Sequence, residues 1–319
     1  MTSRRHFLTT TFALGVAGAL PSRLLANEAL KVVATTGMIA DAARRIGGER
    51  VSVTALMGAG VDPHAFRQTR SDVLAMTRAD LTLWHGLYLE AQMEDFLLEL
   101  AQRRPVVPVA EAVPVDQLIA HDDYADKRDP HVWMDPDLWV IVVDRIRAAL
   151  AELAPAAAPA FDAAAGTYSA EIEALGAYTR EVLSSVPEGQ RMLVTAHDAF
   201  NYFGAAYGFD VVGIQGISTE SEAGLARIEE LVTLLVDRNI RAIFVESSVS
   251  DRNIRALAEG AAARGHEVAI GGELFSDAMG RPGTYEGTYL GMIDHNATTI
   301  ARALGGQAPE RGMAGQLTL

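Results

Sequence analysis

The chain has 319 residues, 49% of them hydrophobic, which is enough to pack two domain cores and excludes a disordered chain. Its 27 Lys and Arg against 41 Asp and Glu leave a net charge of -14, which argues against nucleic acid or anionic membrane surfaces as partners and favours cations. There is no cysteine, so disulfides, thiolate metal sites, cysteine nucleophiles and a lipid-modified N-terminal cysteine are excluded, and any metal must take nitrogen and oxygen donors.

The chain opens with Ser3-Arg4-Arg5-His6-Phe7-Leu8, an apolar Gly/Ala-rich run to Leu20, then Pro21 and small residues near Ala26. A basic segment, a short apolar core and a small-residue cleavage region read as a twin-arginine signal peptide over 1–26. The run from Phe7 to Leu20 is shorter than the roughly 20 residues a spanning helix needs. The expectation is a soluble periplasmic protein after cleavage, beginning near Asn27 or Glu28.

From Leu30 onward, short β-like runs alternate with helical ones: strand over 31–35, helix over 38–46, strand over 51–57. That alternation predicts βαβ units and a parallel sheet. A turn over 58–63 delivers His64, a helix follows over 71–79, and 81–84 reads as the next strand. His85 ends that strand and reads most simply as a loop histidine without metal contact, a place beside a site being the alternative. Met93, Phe96, Leu97 and Leu100 make the apolar stripe of a helix over 90–102, with the methionine a core residue. A strand over 106–109 closes the first sheet, and the polar loop 116–128 holds only His121, so there is no histidine-rich tract.

The stretch Asp129-Pro130-His131-Val132-Trp133-Met134-Asp135-Pro136 echoes the earlier Asp62-Pro63-His64. Asp135 and Pro136 suit the N-cap and first turn of a helix over 136–153, so Asp135 is assigned to capping. Phe161, Ala165, Tyr168, Ile172, Leu175, Thr179 and Val182 fall at helical spacing along 160–183, a helix of roughly 36 Å that is long enough to join two lobes. Pro187 and Gly189 end it, and the βα pattern restarts. Strands are expected over 192–196, 211–214, 242–245 and 267–270, with helices over 225–236, 253–264 and 289–304. His197 leaves the first of these strands, and Asp198 is placed to cap a helix through Tyr207. Gly271-Gly272 is expected to bend the chain toward Asp277. The resulting division is an N-terminal lobe over 27–158, a linking helix over 159–186 and a C-terminal lobe over 187–319, each lobe with about four strands.

His64, His131, His197 and Asp277 all sit where a strand gives way to a loop, which is where open parallel sheets bind ligands. Three imidazoles and one carboxylate form a donor set for a first-row divalent cation when no thiolate is available. Two rivals carry less. A metallohydrolase would keep a coordination position for water, whereas four protein donors fill a tetrahedral shell, and there is no His-Glu-x-x-His helix. An adhesin-like interaction protein would need a surface anchor, and none is encoded here.

Thr35-Thr36-Gly37-Met38-Ile39, Leu56-Met57-Gly58, the two Asp-Pro-His stretches, Thr195 through Phe203, Gln215-Gly216-Ile217-Ser218-Thr219-Glu220 and Phe275-Ser276-Asp277 together give a specific pattern. In this order the chain resembles the periplasmic metal-binding receptors of zinc and manganese ABC importers. The resemblance implies two α/β lobes, each a small parallel sheet flanked by helices, joined by one long rigid helix. It places His64 and His131 in the first lobe, His197 and Asp277 in the second, and the ion in the cleft between them. It also implies a monomer that delivers its ion to a permease and, through it, an ATPase. Manganese-type members often have Glu at the position of His197, while many zinc-type members have three histidines and a histidine-rich loop. With the third histidine but no such loop, Zn2+ is favoured, Mn2+ is next and Fe2+ third, since manganese prefers oxygen donors. Whether His85 or Glu246 braces a ligand from behind is left open.

Overall fold

A computed structural model describes residues 29–318 except 122, 123, 125 and 221–223, so the expected leader lies outside the described residues. The first lobe begins with β1 (Leu30–Ala34), α1 (Gly37–Gly47) and β2 (Val51–Ala55), a right-sized unit for a parallel crossover. β1 and β2 pair in parallel from Leu30 opposite Val51 to Ala34 opposite Ala55. Next come α2 (Arg70–Arg78), β3 (Leu81–Trp84), α3 (Glu94–Ala101) and β4 (Val106–Pro108), giving a parallel sheet in the order β2-β1-β3-β4. Every residue of β3 is buried, as befits an inner strand covered on both faces. α2 starts at a capping box between Thr69 and Asp72.

The helix expected from residue 90 starts only at Glu94. Gly86, Leu87 and Tyr88 adopt positive φ values of 83°, 53° and 70°, which no helix accommodates. That turn carries Glu90 inward, where its carboxylate accepts from the Thr35 hydroxyl at 2.6 Å and the His85 N–H at 2.8 Å. Those bonds compete with helical continuation, and burial pushes the Glu90 carboxyl up to about 7.

α4 (Pro136–Leu153) begins as expected, with the Asp135 side chain accepting from the Asp137 N–H and Pro136 in the first turn. α5 (Ala158–Ser184) spans 27 residues, roughly 40 Å. All seven positions of its expected stripe, Phe161 through Val182, are buried. Full burial of Phe161 or Ile172 contributes about 1.5–3 kcal/mol each. The helix lies against α1 and α4 on one side, and against α9 (Tyr289–Ala303) of the second lobe on the other. One apolar cluster therefore runs from the first sheet through α4 and α5 into α9, and includes Leu193 and Phe203.

The second lobe comprises β5 (Met192–Thr195), α6 (Asn201–Tyr207), β6 (Asp210–Gly213), α7 (Leu225–Asp237), β7 (Ala242–Glu246), α8 (Arg252–Ala263), β8 (Ala269–Leu274) and α9. Its four strands form two parallel pairs, β5 with β6 and β7 with β8, and β5 lies beside β7. Around them a second apolar cluster joins Val194, Leu235, Ile243 and Leu257.

Two expectations are corrected here. The last strand does not stop before Gly271-Gly272 but runs through them to Leu274, because Gly272, at φ 144°, lets β8 follow the register shift opposite Ile243 and Val245. Asp198 does not cap α6, whose N-cap is Phe200. Its backbone N–H instead bonds the Gly216 carbonyl at 3.2 Å, and α6 starts only at Asn201. Gly213 permits that approach, since a Cβ there would lie 2.6 Å from the Asp198 nitrogen.

Candidate metal centre

Each of the four residues is presented by a loop whose backbone is pinned by a nearby side chain. His64 follows β2, and its N–H donates to Asp62 Oδ1 at 2.8 Å. His131 repeats the device with an addition: Asp129 Oδ1 accepts from the His131 backbone N–H at 2.9 Å and lies 2.7 Å from its Nδ1. With Nδ1–H donating to the carboxylate, Nε2 is the ring nitrogen turned to the interior. Asp129 is in turn held by the Asn201 side-chain amide at 3.0 Å, and its carbonyl by the Tyr202 hydroxyl at 2.9 Å, both from α6 of the other lobe.

His197 follows β5. Its N–H donates to Glu246 Oε1 at 2.8 Å and its Nδ1 lies 2.5 Å from Glu246 Oε2, so the carboxylate ending β7 fixes both backbone and ring. Asp277 comes three residues after β8. One of its oxygens is 3.4 Å from His131 Nε2 and the other 3.2 Å from His197 Nε2, with the Ser248 hydroxyl 3.4 Å from the second. Trp133 binds the lobes beside this point, its indole N–H donating to the Ser276 carbonyl at 2.9 Å and its ring meeting His131 edge-on.

The four donor atoms lie within 4.8 Å of one another. His64 Nε2 and His131 Nε2 are 3.3 Å apart. Tetrahedral coordination with bonds of about 2.0–2.1 Å has donor-to-donor edges of roughly 3.3–3.4 Å, so the shortest separations match such a shell. His64 is 3% exposed, Asp277 2%, and the other two wholly buried.

Burial and neighbouring charge move the four groups in opposed directions. Burial lowers the His64 imidazole to about 3, reinforced by its two histidine neighbours. Burial also works against charge on His131, but Asp129 and Asp277 outweigh it and carry that ring up to about 9. The same contest holds His197 well above its ordinary value, with Asp277 and Glu246 prevailing over burial. Asp277 lies well below the usual carboxylate range, since His197 and His131 overcome its desolvation.

The structure thus brings together all four residues singled out in the sequence. His85 stands outside the group. Its Nε2 lies 2.6 Å from the Pro130 carbonyl and its ring meets Trp133 edge-on, so it supports the turn that carries His131. Glu246 does brace a histidine, the alternative that the sequence left open. Asp129, Asn201 and Tyr202 have roles that sequence reasoning missed. The Asp-Pro-His repeat was the available signal for Asp129, because an Asp two residues before a histidine can accept from its backbone N–H. No pattern in the sequence points from α6 across to Asp129.

Two parallel-sheet lobes are thus bridged by a buried helix, with nitrogen and oxygen atoms of four side chains converging where they meet. The family model for zinc-uptake complex component A periplasmic, ZnuA, matches residues 32–303, and the chain belongs to that family. The manganese-binding lipoprotein MntA of Bacillus subtilis (strain 168) is 47% identical over 297 residues, covering 93% of this chain and 97% of MntA. Zinc-binding protein TroA of Treponema pallidum is 46% identical over 273 residues, covering 86% and 88%. Iron-binding protein YfeA of Yersinia pestis is 31% identical over 275 residues, covering 86% of each. The solved structure of periplasmic TroA superposes with a TM-score of 0.84, covering 86% of this chain and 99% of that one. The chain is accordingly a binding protein and not an enzyme. Among the described residues no helix is long and apolar enough to cross a membrane.

Proposed function

We propose that His64, His131, His197 and Asp277 bind one divalent transition-metal ion between the lobes, and that the loaded protein hands it to an ABC permease and its ATPase. The observation that carries this reading is four buried donor atoms within 4.8 Å, with carboxylates behind two of the imidazoles. Such outer partners orient a ligating ring and raise its basicity.

Zinc is the favoured cargo, manganese the second and iron the third. Near-equal identity to a manganese-binding and a zinc-binding relative does not choose between those metals, so the donor set must. Three imidazoles and one carboxylate suit zinc, whereas manganese stands at the weak end of the affinity series and prefers oxygen. A bidentate Asp277 is the feature that would admit manganese. The division into leader 1–26, lobe 27–158, linker 159–186 and lobe 187–319 belongs to the same proposal, as does release into the periplasm as a soluble protein. MntA is named a lipoprotein, and this sequence has no cysteine thiol to carry a lipid.

Elemental analysis of protein isolated natively from the periplasm, followed by competition between zinc and manganese on stripped protein, tests the reading. Bound zinc that manganese does not displace is the expected result. Manganese displacing zinc would overturn the metal preference, and the absence of any divalent metal in both experiments would overturn the site.

A further inference from the structure

Both aspartates of the Asp-Pro-His repeat keep one carboxylate oxygen on the histidine N–H two residues on and turn the other to the opposite lobe, Asp129 to Asn201 in the interior and Asp62 to a half-buried partner. There the Thr219 hydroxyl donates to Asp62 Oδ2 at 2.6 Å. Thr219 belongs to the loop leaving β6, and that loop is joined to the segment bearing His197: the Gln215 N–H bonds the Ala196 carbonyl at 3.0 Å, and the Asp198 N–H bonds Gly216 at 3.2 Å. A single hydrogen bond between two side chains that are not donors to the ion thus links the loop of His64 to the loop beside His197. One residue further on, Glu220 Oε1 accepts from the Gln92 side-chain amide at 2.5 Å, a second tie across the same gap.

The Asp62–Thr219 tie stands beside the two residues of the cluster that keep some exposure, since Asp62 also holds the His64 N–H. His131 and His197 are wholly buried, His64 and Asp277 retain 3% and 2% exposure, and Asp62 and Thr219 are half-buried beside them. Other contacts between the lobes, Trp133 to Ser276 and the Tyr289 hydroxyl to the Trp133 carbonyl at 2.9 Å, join wholly buried residues. Those contacts are wholly buried, whereas the Asp62–Thr219 bond joins two half-buried side chains and is the more accessible to water.

We infer that the Asp62–Thr219 hydrogen bond is a clasp across the lobes that sets how long the bound metal stays, without setting which metal is bound. The inference rests on the reading that the four donors hold the ion. Thr219 gives the metal no atom, so loosening it should act on every cargo alike, whereas a change in a donor acts through coordination preference.

The experiment is release of zinc, and separately of manganese, from the loaded protein into excess chelator, followed by stopped flow. A hydrogen bond to a charged group at a half-buried position corresponds to roughly a tenfold change in rate when lost. Thr219→Val, which keeps the shape and removes the hydroxyl, should speed release of both metals by about that factor and leave the zinc to manganese affinity ratio unchanged. Thr219→Ser should restore the parental rate. Unchanged release in Thr219→Val, a serine variant as fast as the valine one, or acceleration confined to one metal would each overturn the clasp while the site stands. Parental protein that binds neither metal would overturn the four-donor reading, and the clasp with it.

Discussion

Metal binding to this site should release about two protons near pH 7.5, and the count follows from the charges around each donor. With its ring raised to about 9, His131 carries a proton at that pH when no metal is bound. His197, held well above its ordinary value by Asp277 and Glu246, carries another. His64, lowered to about 3, is already neutral, and Asp277, well below its usual range, is already ionised, so neither contributes. A divalent ion bound through Nε2 must displace both protons. Three unperturbed imidazoles with a pKa of about 6.5 would release only about 0.3 proton in total at the same pH. The sign is fixed by linkage: raised histidine pKa values favour the metal-free, protonated site, so affinity falls as pH falls, by up to about a hundredfold per unit while both rings hold protons. The dependence weakens as pH rises through about 9, where His131 is already neutral. An expectation based on the reference imidazole alone would put the loss near pH 6; the paired carboxylates move it upward. Calorimetric titration with zinc in buffers of different ionisation enthalpy reads the proton count directly, and Glu246→Gln should reduce it. A count below about 0.5 at pH 7.5 would refute the reasoning.

His197→Glu should lower the zinc to manganese affinity ratio while preserving the fold, since it exchanges a nitrogen donor for a harder oxygen; His197→Ala should weaken both metals, and titration against a competing chelator measures each. Free metal at about 100 times its dissociation constant should stabilise the protein by roughly 2.7 kcal/mol, so coincident melting curves with and without zinc, manganese or iron would contradict the site. Replacing Arg4 and Arg5 together by Lys should hold the precursor in the cytoplasm. Normal periplasmic accumulation of that double variant would remove the twin-arginine assignment.

Local patterns were enough for most of the elements and for the four residues that gather between the lobes. The stripe from Phe161 to Val182 is a helical period, Asp135-Pro136 is a helix start, and the βα alternation implies parallel strands, because each of these depends on residues within a turn or two of one another. His64, His197 and Asp277 were legible for a similar reason, since each comes after a strand of its lobe; His131 does not, for it lies 23 residues beyond Pro108 at the end of β4, and it was legible only through the repeated Asp-Pro-His triplet. What the sequence could not decide was which distant side chains stand behind them. Glu90 abandons its expected helix for bonds to Thr35 and His85, and Gly271-Gly272 continue a strand because a neighbouring strand shifts register there. Asp129 is held by Asn201 and Tyr202 from the far lobe, Glu246 reaches His197 from another strand, and Thr219 crosses to Asp62 over 157 residues of chain. Such pairings are satisfied hydrogen bonds between buried or half-buried groups, and their partners are chosen by the packing of the two lobes about α5, after the local elements have formed.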